Sequence, residues 1–97
     1  MLRGEFGGKK WRLVWNYPEG KTGELTECLL EVGGITYWGL ARRHPGDQPN
    51  PEVARRLSLT RAMYGDDLSP EPPIFPTQAE CKEFRRQVWE AYLGRKQ

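Results

Sequence analysis

Alternating apolar and polar residues predict an antiparallel sheet in the first half of the chain. The first strand has one aromatic face, because polar residues and Val14 separate Trp11, Leu13, Trp15 and Tyr17 with the period of two of a β-strand. Two further strands are predicted over residues 25–32 and 35–43. The glycine- and proline-containing segment 18–23 reads as one hairpin tip and Gly33-Gly34 as a two-residue turn. A three-stranded meander follows.

A helical pattern replaces the strand pattern after residue 49. Asn50 is a preferred N-cap, Pro51 suits the first helical position, and Gly65 suits the residue that ends a helix. The apolar side of this helix is predicted to contain Val53, Leu57, Thr60, Met63 and Tyr64, with Leu59 at its margin. The opposite side is predicted to contain Arg55, Ser58, Arg61 and Ala62.

A second helix is predicted to begin after Thr77, which forms a capping box with Glu80. Its apolar stripe contains Cys81, Phe84, Val88, Ala91 and Tyr92, with Trp89 at the edge. Residues 66–76 contain most of the prolines of this half and predict an extended crossover between the two helices. The predicted order is therefore β-β-β-α-α.

These elements place the chain in the α+β class, as a three-stranded antiparallel meander followed by two helices packed on one face of the sheet. With 97 residues the chain is expected to form a single domain, with residues 1–9 as a flexible N-terminus. Two arrangements of the sheet are open. If the helices cover the Trp11 face, Trp38 and Leu40 lie on the opposite face and Tyr37 turns inward; the reverse assignment is equally allowed.

Composition argues against catalysis and against a metal site. The chain has one histidine, His44, and two cysteines, Cys28 and Cys81, which leaves little for a metal centre or a nucleophile with its base. We therefore expect no enzyme activity and no cofactor. No apolar run is long enough to span a bilayer and no secretory signal is visible, which predicts a cytoplasmic protein without a membrane partner. Because the cytoplasm is reducing, we expect the two cysteines to be free buried thiols and not a disulfide.

Charge is distributed unevenly along the chain, although its net value is only +2. Residues 1–61 contain ten Lys and Arg against seven Asp and Glu, and residues 62–97 contain five against six. The segment 65–80 holds four acids and no base. Such a distribution favours an anionic partner at one end of the molecule, without the strong positive charge of a protein that coats DNA.

The basic residues around the third strand, the following loop and the first helix form the main candidate site. A strand end, an irregular loop and a helix N-terminus are parts from which phosphate sites are assembled, and arginine supplies paired donors. The candidate ligand-binding residues are Arg42, Arg43, His44, Arg55, Arg61 and Trp38. The alternative is structural: Arg42 and Arg43 are exposed at a strand end, Asp47 caps its own loop, and Glu52 pairs locally with the helix arginines.

Four tryptophans in a chain of this size predict that some aromatic surface remains open. Aromatic side chains among basic residues, such as Trp11 between Lys10 and Arg12, can stack on nucleic-acid bases. Aromatic side chains are also enriched in protein interfaces. The alternative is an ordinary aromatic core. Composition alone does not distinguish these possibilities.

Two segments of the chain resemble a motif of small uncharacterised phage and prophage proteins. They are Gly39-Leu40-Ala41-Arg42-Arg43-His44-Pro45-Gly46-Asp47-Gln48 and Ala54-Arg55-Arg56-Leu57-Ser58-Leu59-Thr60-Arg61-Ala62. The motif is a strand, a Pro-x-Asp loop and an arginine-containing helix, and it covers about a quarter of the chain. The resemblance implies a protein that acts by binding. Many small phage proteins of this size act by binding: they inhibit host enzymes, block immune nucleases or sequester nucleotide signals.

Two functions follow as hypotheses, besides the disfavoured small enzyme. The first is a non-catalytic, phage-type accessory or counter-defence factor that recognises a phosphate-bearing ligand, nucleic acid or a nucleotide signal, through the basic strand-loop-helix segment. The alternative is an inhibitor or adaptor that binds a host protein through its aromatic sheet face or its acidic crossover. A homo-oligomer is possible in either case.

Overall fold

The computed structural model of the chain describes residues 1–18, 25–44, 46, 48, 50–65 and 70–94. The described elements are the strands β1 (Leu2–Phe6), β2 (Lys9–Asn16), β3 (Leu25–Val32) and β4 (Ile35–Arg42), and the helices α1 (Pro51–Tyr64) and α2 (Gln78–Gly94). The fold is α+β, as the sequence predicts. The predicted hairpin tip at 18–23 lies almost entirely outside the described residues.

The four strands form one antiparallel sheet in the order β1-β2-β3-β4. Two turns of two glycines each set its register. Gly7 and Gly8 have φ of 58° and 78°, and Gly33 and Gly34 have φ of 57° and 86°. Positive φ at both positions is the requirement of a type I′ turn, whose twist matches that of the flanking strands. The Gly33-Gly34 hairpin turn is thus confirmed.

The prediction of three strands is wrong, because residues 2–6 form β1 instead of remaining a flexible N-terminus. The strand pairs with β2 from Leu2 opposite Leu13 to Phe6 opposite Lys9. Gly4 makes the segment look like a loop in the sequence, but the Trp11 ring occupies the space beside it. A Cβ atom on Gly4 would lie 2.5 Å from that ring.

Both helices pack on the Trp11 face of the sheet, which decides between the two arrangements that the sequence left open. We call this the inner face; on it lie Leu2, Phe6, Trp11, Leu13, Trp15, Cys28, Leu30, Val32, Tyr37, Gly39 and Ala41. Its buried residues form one apolar cluster with side chains of α1 and α2. Tyr37 is half-buried against this cluster, whereas Trp38 and Leu40 lie on the opposite face.

The stripe predicted for α2 is confirmed. Phe84, Val88 and Tyr92 are fully buried, and Cys81 is buried beside them. Aromatic side chains link the helix to the sheet, with ring centroids 6.1 Å apart for Trp11 and Phe84. The proline-rich crossover, described from residue 70, has no helix or strand up to residue 77. It nevertheless adds buried Ile74 and Phe75 to the core.

Helix α1 lies against β4 at Gly39, where the two backbones meet. A Cβ atom on Gly39 would lie 2.2 Å from the Ser58 carbonyl oxygen and 2.4 Å from the Ala62 nitrogen. Ser58 and Ala62 are themselves buried, and the Ser58 hydroxyl donates to the Arg55 carbonyl at 3.0 Å. Three small residues therefore permit this close approach, and the one polar side chain among them has a hydrogen-bond partner.

The predicted apolar side of α1 is correct for Met63 and the marginal Leu59 and wrong for Val53, Leu57 and Tyr64. The buried residues of the helix are Ser58, Leu59, Ala62 and Met63, whereas Val53, Leu57 and Tyr64 are exposed. Hydrophobic periodicity favours the large apolar residues, but the contact with Gly39 is made by the small ones. The helix ends are as predicted, since Asn50 Oδ1 accepts from the Val53 N–H at 3.2 Å and the Gly65 N–H donates to the Arg61 carbonyl at 2.9 Å.

We predict that Gly39→Ala destabilises the fold by about 1–3 kcal/mol or more, because the added methyl group overlaps the α1 backbone. Denaturant unfolding of the purified variant measures the change. Gly94→Ala is the matched control, since no described residue beyond its own helix backbone and chain neighbours has an atom within 4 Å of its Cβ position. A free energy of unfolding for Gly39→Ala within about 0.5 kcal/mol of wild type contradicts the close contact.

A pair of leucine truncations tests the orientation of α1. Leu59 is fully buried and Leu57 is 38% exposed. We expect Leu59→Ala to cost about 2–5 kcal/mol and Leu57→Ala under about 1 kcal/mol, measured by the same unfolding experiment. The reverse order would restore the orientation suggested by the hydrophobic pattern.

Candidate functional site

The face of the sheet opposite the helices is open among the described residues. We call it the outer face; its residues are Arg3, Glu5, Lys10, Arg12, Val14, Asn16, Leu25, Glu27, Leu29, Glu31, Thr36, Trp38, Leu40 and Arg42. Trp38 is 66% exposed and Leu40 is 43% exposed. Large apolar side chains on an uncovered face indicate an interaction surface more often than isolated exposed residues do.

An apolar row crosses the middle of the outer face. Val14 lies opposite Leu29, and Leu29 lies opposite Trp38, so one residue from each of three neighbouring strands forms the row. Cross-strand neighbours of this kind have Cβ atoms about 4.5–5.5 Å apart and contact one another. Val14 and Leu29 are half-buried, whereas Trp38 projects most of its surface into solvent. The row therefore presents one aromatic side chain on an apolar base.

Paired polar groups lie on both sides of the apolar row. On one side Arg12 forms a salt bridge with Glu31 at 3.6 Å. On the other side the Asn16 amide donates to Glu27 at 3.3 Å. Counting charges over the whole outer face gives four bases (Arg3, Lys10, Arg12 and Arg42) against three acids (Glu5, Glu27 and Glu31). The face is therefore nearly neutral rather than basic.

A shallow open groove of about 570 Å³ lies at the β1 side of the outer face. Its lining includes Arg3, Lys10 and Arg12 together with Glu5 and Glu31. Arg3 and Arg12 lie opposite each other across the β1–β2 ladder. Like charges in such positions repel one another, and Glu31 offsets that repulsion through its salt bridge to Arg12.

The structure does not bring the six predicted ligand-binding residues together. Trp38 and Arg42 lie on the outer face of β4. Arg43 and His44 follow the end of the strand, where Arg43 is half-buried and His44 is exposed. Arg55 and Arg61 belong to α1, which lies on the other side of the sheet. Their proximity in sequence therefore does not produce a single basic pocket.

Arg55 belongs to a polar cluster between α1, α2 and the end of β2. Its guanidinium donates to Glu52 at 3.3 Å, and the Tyr92 hydroxyl donates to the same carboxylate at 2.9 Å. Hydrogen bonding by the Tyr17 hydroxyl raises the pKa of Arg55, partial burial opposes this shift, and Tyr92 adds to it. Glu52 also accepts from Arg56 at 2.8 Å, which confirms the local pairing expected from the sequence.

Arg61 connects α1 to the edge of the sheet. Its guanidinium donates to the Leu40 carbonyl at 2.6 Å. The acidic crossover offers a similar internal contact, since Glu71 pairs with Arg85 at 2.5 Å, and Arg85 lies 4.4 Å from the centre of the Tyr64 ring. Asp66 and Asp67, the other acids of that predicted surface, lie outside the described residues. Both Arg61 and Glu71 therefore have structural roles.

Sequence reasoning missed the contribution of Val14, Leu29 and Arg3 to the outer face. Val14 separates the aromatic residues of β2, so the alternation groups it with their polar neighbours. Leu29 falls on the mixed face of β3 between two glutamates. Arg3 belongs to the strand that the sequence did not reveal. The alternation of residues in β2 and β3 places Val14 and Leu29 on the outer face once it is known which face the helices cover.

The two thiols are free and buried, as expected. Burial raises the pKa of Cys28 to about 12, so this side chain stays protonated and unreactive at neutral pH. Cys81 exchanges weak hydrogen bonds with the Phe75 backbone, with both sulfur distances at 3.4 Å. No group of three or more His, Cys, Asp and Glu that could hold a metal ion occurs in the described part of the chain.

Comparisons with protein-family models, curated proteins and solved structures give no match to this chain. Neither described helix has the length and apolar character needed to cross a membrane.

Proposed function

We propose that this protein is a non-catalytic inhibitor or adaptor that binds another protein through its outer face. The observation that carries the proposal is Trp38, which is 66% exposed at one end of the apolar row. Aromatic side chains on an apolar base are typical of the residues that dominate binding energy in protein interfaces. The resemblance to small phage proteins makes a host-cell protein in the cytoplasm the expected class of partner.

The charges of the outer face favour a protein over a nucleic acid as the partner. A nucleic-acid surface presents an excess of Lys and Arg, since phosphate neutralisation supplies most of the affinity. Here Arg12 is paired with Glu31, and Glu27 lies on the other side of the apolar row. Apolar centres surrounded by polar groups of both signs resemble the core and rim of a protein interface.

A phosphate-bearing ligand is the second candidate function, supported by two residues of the basic segment. Arg42 and His44 are exposed at the end of β4. Glu52 at the beginning of α1 weakens this candidate, because its carboxylate already receives donors from Arg55, Arg56 and Tyr92. Arg55 and Arg61 therefore contribute to the fold in this region, and a ligand would depend on the strand end.

We predict that Trp38→Ala combined with Leu40→Ala removes binding to the protein partner. Replacing an aromatic hot spot costs about 2 kcal/mol or more, which is more than a tenfold loss of affinity. Wild-type and variant proteins, immobilised at equal density, are exposed to host-cell lysate; captured proteins are quantified by mass spectrometry, and the affinity of the purified partner is then measured. Both side chains are exposed, so the free energy of unfolding should change little.

Arg42→Ala combined with His44→Ala is the matched control, because it alters the strand end and leaves the apolar row intact. Protein capture should survive this change. The phosphate-bearing ligand would instead be indicated if this control variant lost binding to nucleotides or nucleic acid at low salt while the Trp38 variant kept it. Equal capture by wild type and the Trp38 variant contradicts the proposed function.

A further inference from the structure

Strand β4 lies at one edge of the sheet, and among the described residues no strand pairs with its outer side. The type I′ turn makes Val32 and Ile35 a hydrogen-bonded pair. Alternate residues of β4 from Ile35 onward therefore direct their backbone groups toward β3, and the residues between them direct theirs away from the sheet. The outward residues are Thr36, Trp38, Leu40 and Arg42. The Arg61 hydrogen bond to the Leu40 carbonyl agrees with this assignment.

Edge strands of monomeric proteins usually carry features that prevent pairing with another chain, such as charges, proline, bulges or short length. β1 has such features, because it is five residues long and carries Arg3 and Glu5. β4 is eight residues long, has no proline, and has Arg42 at its end as its one charged residue. Its middle section therefore lacks the usual protection.

We infer that two copies of this chain associate through antiparallel pairing of their β4 strands. In the pairing register that keeps the Arg61 hydrogen bond to the Leu40 carbonyl, Thr36 lies opposite Trp38 of the second copy. The outward N–H and C=O groups of Thr36 and Trp38 then form about four hydrogen bonds across a two-fold axis. The two Trp38 side chains become diagonal neighbours on one face, within reach of each other. Arg42 and its counterpart lie at opposite ends, so no like charges meet.

The position of α1 adds a second contact to this dimer. The helix packs on both β3 and β4, so pairing of the β4 strands brings the two α1 helices to neighbouring positions on one face of the joined sheet. Leu57 precedes Arg61 by one turn and so lies on the same side of α1, toward the β4 edge. The dimer therefore covers Leu57, which is 38% exposed in the monomer.

The pairing produces one sheet of eight strands and leaves the short, charged β1 strands at its ends. Each β4 edge is used once, so the assembly closes as a two-fold dimer and does not extend into a fibre. The outer faces of the two copies become continuous. This inference goes beyond the proposed function and does not depend on it, because it rests on the β4 edge and not on the partner of the outer face.

Thr36→Pro tests the dimer, since it removes an outward N–H without removing one from the β3–β4 ladder. Light scattering of the full chain across a wide concentration range should give a wild-type mass that rises from 11.2 kDa toward twice that value. Thr36→Pro should stay monomeric or dimerise at least tenfold more weakly. Glu5→Pro is the matched control on the β1 edge and should dimerise like wild type.

Leu57→Lys supplies an independent variant if Thr36→Pro does not fold, as judged by circular dichroism. It leaves the β4 backbone intact and should also weaken the dimer at least tenfold. Amide hydrogen exchange locates the contact: the Trp38 amide should become protected as concentration rises. The inference is overturned if the wild-type protein is monomeric at every concentration, or if its assembly grows without limit. It is also overturned if only Glu5→Pro loses dimerisation, or if amide hydrogen exchange at Trp38 does not change with concentration.

The test separates the dimer from the proposed function. Thr36→Pro keeps the apolar row of Val14, Leu29 and Trp38, so it should still capture the protein partner. If the wild-type protein does not dimerise but still captures its protein partner, only the dimer is contradicted. If the protein dimerises but captures no protein partner through Trp38, only the proposed function is contradicted.

Discussion

At Gly39 the backbones of β4 and α1 come into direct contact, and this contact sets the position of the helix on the sheet. A side chain at this position would overlap the Ser58 carbonyl, so only glycine allows the helix to lie directly on β4. Buried Ser58 and Ala62 fill the interface with small groups, and the Ser58 hydroxyl has its partner in the Arg55 carbonyl. The close approach also brings Arg61 to the Leu40 carbonyl at the sheet edge. Because the helices occupy the Gly39 side of the sheet, no described helix covers the Trp38 side.

Most of the secondary structure could be predicted from the sequence, because its signals are local. Strand alternation, the Gly33-Gly34 turn, the Asn50 cap and the apolar stripe of α2 each depend on residues close together in the chain. β1 escaped prediction because Gly4 interrupts its pattern, and that glycine is explained only by the Trp11 ring beside it. The orientation of α1 escaped for a similar reason. Hydrophobic periodicity gives weight to large residues, whereas a contact between backbones is made by small ones.

The candidate site was less predictable than the fold, since it depends on which side of each element faces the core. Arg42 points to the outer face, as expected of its position in β4. The spacing along α1 predicts that Arg55 pairs with Glu52, but it does not indicate that Tyr92 of α2 joins them. The exposed Trp38 was recognised as a candidate, but its position became meaningful only when Val14 and Leu29 were placed beside it across the strands. The functional hypothesis consequently moves from the basic segment to the sheet face.

The solvent exposure of each tryptophan reports directly which face of the sheet the helices cover. Each indole N–H gives its own resonance, and a soluble paramagnetic agent added to dilute, uniformly ¹⁵N-labelled protein broadens those that solvent reaches. We expect the strongest effect at Trp38, which is 66% exposed, and the weakest at Trp11, which is 3% exposed. Strong broadening of Trp11 with a shielded Trp38 would mean that the helices cover the other face, and it would contradict both the role of Gly39 and the proposed binding surface.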